Sequence, residues 1–421
     1  MRKENGMIPL ILVYAAVMPC AEKGNDMRDF QFYTPTQVVF GRDSEQQTGQ
    51  LVRQSGGTKA LLLYGGGSVV RSGLLGRVSA SLRDAGVACV ELGGVVPNPR
   101  LSKVQEGIAL CRREGVDFLV AVGGGSVIDS AKAIGCGLVY DGDVWDFFER
   151  KAIVTHSVPM GCVLTLAATG SEMSDSCVIT NEENGKKRGL GSNLFRPRFA
   201  VMNPELTFTL PPYQTAAGCT DILSHTMERY FSGEEEVEPT DYIAEGVLRT
   251  VIEMAPRALK NPEDYDARAA ILWAGSLSHN GLTGCGRGGN GRIGDWACHQ
   301  LEHELSGMFD VTHGAGLAAV FGAWARYVLP CAPKRFARFA RNVMCVKEPD
   351  DGKAALAGIE AFEAFLRFIG MPTNLRELGL TLTDAQLDEL AWRCSFEGTR
   401  NIGSIRVLER ADMREIYRLA Q

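Results

Sequence analysis

Two segments of this sequence share one pattern, a short apolar run that ends on Gly-Gly-Gly-Ser and passes into a helix-like stretch. The first run spans residues 60–64 and ends on Gly65 to Ser68; the second spans 118–122 and ends on Gly123 to Ser126. Continuous apolar runs of this length are typical of strands that are buried on both faces. The pattern therefore predicts a parallel sheet whose strands are joined through helices.

Strand-like and helix-like segments alternate along the first half of the chain. The predicted strands cover residues 30–40, 60–64, 87–92 and 118–122, and the predicted helices include 101–114 and 127–137. Past Pro211 and Pro212 the segments become helix-length, at 241–255, 266–278 and 354–369. We therefore predict a Rossmann-like α/β domain over residues 27–206 and a helical domain over 207–421.

The glycine loops are candidate phosphate sites. Each follows a strand and opens a helix, where free N–H groups and the helix dipole favour an anion. An ordinary tight turn explains either loop alone, but two loops at strand ends of one sheet favour a dinucleotide. After Tyr64 no carboxylate occurs before Asp84, whereas Gly66, Gly67, Ser68 and Arg71 follow at once. The ribose 2′-hydroxyl of NAD(H) therefore finds no carboxylate to bond with, whereas this loop can accommodate the 2′-phosphate of NADP(H). We therefore expect NADP(H) to be preferred over NAD(H).

Four of the six histidines fall into two clusters. Asp221 and His225 are four residues apart, as are His299 and His303, and His313 follows ten residues later. Residues at this spacing share one face of a helix. Imidazole and carboxylate suit a divalent transition metal, Fe²⁺ or alternatively Zn²⁺. The clustering favours one metal site over scattered histidines.

The charge and the cysteine content indicate which classes of partner and which cellular compartment to expect. The net charge is −6 and no dense basic run occurs, which argues against a nucleic-acid partner. Beyond residue 26 no stretch is long and apolar enough to span a membrane. Twelve cysteines occur without a C-x-x-C pair, which favours reduced thiols and a cytoplasmic protein.

The first 26 residues are treated separately. Arg2 and Lys3 precede an apolar run over residues 7–18 that superficially resembles a signal peptide. The run contains Pro9, and no A-x-A cleavage pattern follows it. We therefore expect a dispensable extension ahead of a natural start at Met27.

Several motifs along residues 27–421 together indicate a protein family. They are the segments 32–36 (Phe-Tyr-Thr-Pro-Thr), 97–99 (Pro-Asn-Pro), 123–129 (Gly-Gly-Gly-Ser-Val-Ile-Asp), 168–172 (Ala-Thr-Gly-Ser-Glu), 203–207 (Asn-Pro-Glu-Leu-Thr) and 295–305 (Asp-Trp-Ala-Cys-His-Gln-Leu-Glu-His-Glu-Leu). In these motifs the chain resembles the iron-containing alcohol dehydrogenases, in particular their butanol dehydrogenase and NADPH-dependent aldehyde reductase branch.

The resemblance implies roles for particular residues. It makes Asp221, His225, His299 and His313 the metal ligands, and it places His303 beside the nicotinamide and substrate as the catalytic residue. The implied cofactor contacts are Asn98, Gly124, Gly125, Ser126, Asp129, Thr165, Thr169, Ser174 and Lys187. The resemblance also implies a cleft between the two domains, a small aldehyde or alcohol as substrate, and a homodimer.

The implied reaction is hydride transfer between NAD(P)H and an aldehyde or primary alcohol, with the metal as Lewis acid and His303 relaying a proton. One alternative is a metal-dependent enzyme with bound NAD, of the dehydroquinate synthase or glycerol dehydrogenase type. A non-catalytic metal- or nucleotide-binding protein is another.

His156 and His279 fit neither cluster and are interpreted as structural. Trp296 belongs either to the substrate cleft or to the core.

Overall fold

The computed structural model describes residues 27–232, 237–288 and 293–421. The expectation for the first 26 residues concerns a segment outside these ranges.

The N-terminal half folds around a six-stranded sheet in which every pair of neighbouring strands is parallel. The strands are β1 (Gln37–Phe40), β2 (Lys59–Tyr64), β3 (Ala88–Leu92), β4 (Phe118–Gly123), β5 (Met160–Leu164) and β8 (Phe199–Met202). Their spatial order is β1-β8-β5-β4-β2-β3. The expected parallel sheet is confirmed.

Helices cover both faces of this sheet. They are α1 (Thr48–Gln54), α2 (Ser68–Arg71), α3 (Leu74–Asp84), α4 (Leu101–Glu114), α5 (Gly125–Leu138) and α6 (Trp145–Phe148). Successive side chains of a strand point to opposite faces, so Leu61 and Leu63 enter one apolar core while Leu62 enters the other. Burial on both faces explains why these strands are apolar throughout rather than alternating.

Two parts of the N-terminal half differ from the sequence-based expectation. The predicted strand over residues 30–40 is a strand only at Gln37–Phe40, because the preceding segment pairs with no strand and leaves Phe32 and Tyr33 about half exposed. An antiparallel hairpin of β6 (Ser176–Asn181) and β7 (Lys186–Gly191) was not anticipated. Its second strand begins with three basic residues, a composition that does not suggest a strand.

The C-terminal half is helical, with nine longer helices among the described residues. These are α7 (Pro212–Tyr230), α8 (Thr240–Lys260), α9 (Tyr265–His279), α10 (Ala297–Phe309), α11 (His313–Val328), α12 (Pro333–Asn342), α13 (Asp351–Phe368), α14 (Asp384–Cys394) and α15 (Arg410–Leu419). The sheet ends at Met202 and α7 begins at Pro212, so the predicted boundary near residue 207 falls between them.

Helix α7 occupies the centre of this helical half. Every residue from Thr215 to Tyr230 is buried, including Asp221, His225, Glu228 and Arg229. Buried charged groups need partners or ligands, because leaving them unpaired costs several kcal/mol (on the order of 2–5). Four such groups on one helix therefore require partners from the elements around it. Within the described ranges, no helix is long and apolar enough to cross a membrane.

Candidate active site

A cavity of about 590 Å³ lies between the carboxyl ends of the sheet strands and the helical half. The start of α5, with Gly124, Gly125 and Ser126, forms one wall, and residues from α7, α10 and α11 form the other. Open parallel sheets bind ligands at this edge. The volume lies within the range of small-molecule sites, roughly 300–1,000 Å³.

Four side chains meet around one point of the helical wall. The Asp221 carboxylate oxygen Oδ1 lies 3.2 Å from His225 Nδ1, 3.7 Å from His313 Nε2 and 3.9 Å from His299 Nε2. Ligand atoms around a tetrahedral ion with bonds of about 2.0–2.1 Å are separated by roughly 3.3 Å. The structure therefore brings together the four residues that the resemblance implied, at spacings close to those of a metal centre.

Unsatisfied polar atoms test whether a metal fits here. Asp221 Oδ1, His225 Nδ1 and His299 Nε2 are buried, and none has a hydrogen-bond partner among the described residues. Buried polar atoms are nearly always hydrogen-bonded, so three that face one another require an explanation. A divalent cation accepts electron pairs from all three at once, and the donor set fits Fe²⁺ or Zn²⁺.

Two carboxylates that were not assigned from sequence orient the histidines from behind. Glu228 accepts a hydrogen bond from His299 Nδ1 at 2.8 Å, and Glu302 accepts a very short one from His313 Nδ1. A histidine that donates through Nδ1 presents Nε2 to a metal, and such carboxylates are the usual outer partners of ligating histidines. The sequence shows Glu302 three residues after His299, but it does not show that Glu302 pairs with His313.

A second group of possible donors consists of Glu302, His303 and His313. Here the Glu302 carboxylate is already engaged, because it pairs with His313 and lies 3.6 Å from the buried ammonium of Lys187. Burial acts to raise the pKa of Glu302, but its interactions with His313 and Lys187 outweigh burial and lower the pKa to about 2. We therefore interpret Glu302 as the group that orients His313, and the cluster around Asp221 as the candidate metal site.

The remaining pKa shifts agree with a site built for a cation. Burial lowers the pKa of His225 and His303 well below the usual value, so both rings are neutral at physiological pH. Burial also acts to lower the pKa of His299, but the Asp221 and Glu228 carboxylates outweigh it and raise the pKa to about 9. The acidic groups around His299 thus favour a positive charge at this point.

The cavity wall contains eight of the twelve residues predicted to contact the cofactor. They are Asn98, Gly124, Gly125, Ser126, Asp129, Thr169, Ser174 and Lys187. Gly66, Gly67, Ser68 and Thr165 are not among its lining residues. The loop containing Gly66 nevertheless leaves the same edge of the sheet, because β2 pairs with β4 with Tyr64 opposite Val122. It therefore lies beside the cavity rather than in its wall.

Three of the predicted cofactor residues also make hydrogen bonds with other residues of the protein. Lys187 donates to Asn98 Oδ1 at 2.9 Å, and Asn98 donates in turn to Asp310, which precedes α11. Asp129 accepts hydrogen bonds from Ser171 and from the backbone of Val178, which joins α5 to β6. These residues therefore have structural contacts besides any contact with a cofactor.

The sequence did not predict that His279 and Arg229 line the cavity, and it left Trp296 assigned either to the cleft or to the core. His279, interpreted as structural, lies in the wall with its ring 4.0 Å from that of His225, and its Nδ1 donates to Thr169 O. Arg229 and Trp296 also line the cavity, with the guanidinium 4.7 Å from the indole ring. No spacing rule signals His279, because α9 is remote from α7 in sequence. The other unclustered histidine, His156, is exposed.

Comparison with known proteins agrees with this arrangement. Residues 35–204 match a family model described as iron-containing alcohol dehydrogenase, and residues 215–421 match the C-terminal model of the same family. The NADH-dependent butanol dehydrogenase A of Clostridium acetobutylicum is 40% identical over 394 residues, or 93% of this chain and 99% of that protein. The NADPH-dependent aldehyde reductase YqhD of Escherichia coli is 37% identical over 357 residues, or 84% and 90%.

Solved structures show the same family similarity. The crystal structure of NADH-dependent butanol dehydrogenase A from Thermotoga maritima superimposes with a TM-score of 0.90 at 40% identity, covering 94% of this chain and 100% of that one. Family models spanning both halves, together with relatives of this identity and coverage, confirm the resemblance seen in the motifs. The chain belongs to the iron-containing alcohol dehydrogenase family and is an oxidoreductase of that family.

Proposed function

We propose that this enzyme transfers hydride between NAD(P)H and a small aldehyde or primary alcohol at a divalent metal held by Asp221, His225, His299 and His313. The observation that carries the proposal is one cavity with two complementary walls. One wall is the glycine-rich start of a helix, and the other is a cluster of unsatisfied metal donors. A dinucleotide on the first wall and a carbonyl oxygen at the second would bring the reacting atoms together.

The metal, Fe²⁺ or alternatively Zn²⁺, would supply Lewis-acid polarisation of the substrate oxygen. Glu228 and Glu302 hold His299 and His313 with Nε2 toward the metal position. Every residue of α7 from Thr215 to Tyr230 is buried, so the back of the ligands is shielded from solvent. The helical half thus provides a preorganised donor set, which lowers the reorganisation that binding and catalysis require.

The opposite wall supports a dinucleotide. The first N–H groups of α5, at Gly125 and Ser126, have no intrahelical acceptor and favour a pyrophosphate. Thr169 lies against Gly125, so this wall is closely packed. His303 on α10 lines the cavity with its ring centroid 5.7 Å from that of His313, and it is proposed to accept and pass on the proton of the substrate oxygen.

We also propose a preference for NADP(H). The support is local: the β2 loop offers Gly66 to Ser68 and then Arg71, with no carboxylate for a ribose diol. The names of the relatives include both cofactors, since the butanol dehydrogenases are described as NADH-dependent and YqhD as NADPH-dependent. A cytoplasmic homodimer is proposed as well, on the cysteine usage and the family resemblance.

The proposed reaction is tested on enzyme that has been loaded with Fe²⁺ under anaerobic conditions, or with Zn²⁺. Addition of butanal and NADPH should oxidise NADPH with formation of one butanol for each NADPH, and chelation should stop the reaction. A lyase of the dehydroquinate synthase type would consume no net NADPH, and a non-catalytic binding protein would turn over nothing. The absence of butanal-dependent NADPH oxidation by metal-loaded enzyme would refute the proposal.

A further inference from the structure

Arg229 is a buried cation in the wall of the substrate cavity. It lies on α7 one helical turn after His225, and only 6% of its surface is exposed. Four residues of an α-helix rise about 6 Å, so Arg229 lies one turn along α7 from the proposed ligand His225. Arg229 belongs to the helical wall of the cavity, whereas the glycine-rich start of α5 belongs to the other wall.

The arginine side chain is held in one position. Its Nη1 donates to the carbonyl oxygens of His225 at 3.0 Å and Ser278 at 3.1 Å. The guanidinium plane also contacts the Trp296 ring. Gly284 leaves room for it, since a Cβ there would lie 3.2 Å from Arg229 Cδ. Nη2 has no protein acceptor among the described residues, so donors remain for a ligand.

The charge of Arg229 has no ion-pair partner within 4.0 Å in the part of the chain that the structure describes. Of the two nearby carboxylates, Asp175 lies 3.6 Å from Arg196. Glu228 accepts from His299 through Oε1, while its Oε2 has no hydrogen-bond partner among the described residues. A guanidinium keeps its positive charge at neutral pH. A buried unpaired cation is costly, and an anion in the cavity would offset that cost.

We infer that Arg229 is an anion-binding group of the substrate pocket, and that the preferred substrates are short aldehydes with a carboxylate a few carbons from the carbonyl. This inference rests on the proposed function and adds the substrate class. A planar guanidinium binds a carboxylate through two parallel hydrogen bonds, which fixes the direction of the substrate chain. The carbonyl end would then face the metal ligands, one helical turn away.

The reaction remains the reduction already proposed. The carbonyl carbon receives hydride from NAD(P)H and the oxygen receives a proton, so R–CHO, NAD(P)H and H⁺ give R–CH₂OH and NAD(P)⁺. The carboxylate takes no part in bond making. Its contact with Arg229 affects how tightly and in which orientation the aldehyde binds.

The test compares 4-oxobutanoate with butanal, which has the same chain length and no charge. The wild-type ratio of kcat/KM values should favour 4-oxobutanoate, and Arg229→Gln should lower that ratio roughly 10- to 100-fold, as expected for a charge-assisted hydrogen bond. Arg229→Lys should keep part of the preference. General damage to the site lowers both rates and leaves the ratio unchanged.

Arg268→Gln is the matched control. Arg268 is also buried and bonds to Thr215 and to a backbone carbonyl, but it lies outside the cavity. Its substitution should leave the substrate ratio unchanged. A ratio in Arg229→Gln within about threefold of wild type overturns the inference. A raised KM for NADPH with an unchanged substrate ratio also overturns it, because the anion would then belong to the cofactor.

Calorimetric titration separates this inference from the proposed function. The binding of 4-hydroxybutanoate and of 1-butanol to metal-loaded enzyme needs no turnover. Tighter binding of the carboxylate, lost in Arg229→Gln, supports the inference even if neither aldehyde is reduced. Equal binding of the two alcohols by wild-type enzyme contradicts it, whatever the activity.

Discussion

Glu228 holds His299 by two hydrogen bonds that converge on one carboxylate oxygen. Oε1 accepts from the ring Nδ1 of His299 at 2.8 Å and from its backbone N–H at 2.9 Å. The ring orientation and the start of α10 are thus both tied to α7. The same contact leaves His299 Nε2 directed toward Asp221, where no other described residue satisfies it.

Substitution Glu228→Gln should therefore weaken metal binding without removing a ligand. Loss of an outer carboxylate typically costs roughly 10- to 100-fold in metal affinity. Competition with a chelator of known affinity measures this. Glu304→Gln, on the same helix as His299, is the control, because Glu304 pairs with Arg188 and lies outside the cavity. Metal affinity of Glu228→Gln within about threefold of wild type would contradict the positioning role.

Gly125 should prove necessary for cofactor binding. A Cβ at this position would overlap the side chain of Thr169, a short β-branched residue with little room to move. Gly125→Ala should displace the start of α5 and raise the dissociation constant for NADPH by about tenfold or more. Fluorescence titration of NADPH measures it.

Gly246→Ala is a suitable comparison for that experiment. Gly246 lies within α8 with nothing within 4 Å of a Cβ, so alanine should be tolerated and should stabilise the helix by up to about 1 kcal/mol. Unchanged NADPH affinity in Gly125→Ala would show that the dinucleotide does not depend on this close approach.

The cofactor preference can be tested at Gly66. A Cβ there meets nothing within 4 Å, so a side chain fits. Wild-type enzyme should favour NADPH in kcat/KM, and Gly66→Asp should shift the preference toward NADH by repelling the 2′-phosphate. Gly66→Asn has the same shape without the charge and should shift it less. An advantage of tenfold or more for NADH in the wild type, about 1.4 kcal/mol, would refute the NADP(H) proposal.

The parts of the molecule that were predictable from sequence depend on local periodicity. Residues 60–64 and 118–122 are apolar throughout because both faces of the sheet are covered, and such runs are recognisable as buried strands. Asp221 with His225, and His299 with His303, are recognisable because four-residue spacing aligns side chains on one helix face. The structure adds that both helix faces point into one cavity.

The parts that sequence did not predict depend on contacts between distant segments. His279 lines the cavity because α7 packs against α9, and it belongs to no periodic pattern. Arg229 follows His225 by four residues, as His225 follows Asp221, but it was not recognised from the sequence as a cavity residue. Glu228 is one of many glutamates until the fold places it beside His299. The β7 strand is basic in sequence, yet Lys187 and Arg188 are buried because Glu302 and Glu304 of α10 lie opposite them.

The central claim is that Asp221, His225, His299 and His313 hold one catalytic metal. The most direct measurement is metal content per chain, together with NADPH-dependent aldehyde reduction, in His299→Ala and in a control, His156→Ala, whose histidine is exposed. The control should retain one metal per chain and wild-type activity, whereas His299→Ala should lose both. Stoichiometric metal and near-normal rates in His299→Ala would contradict the account.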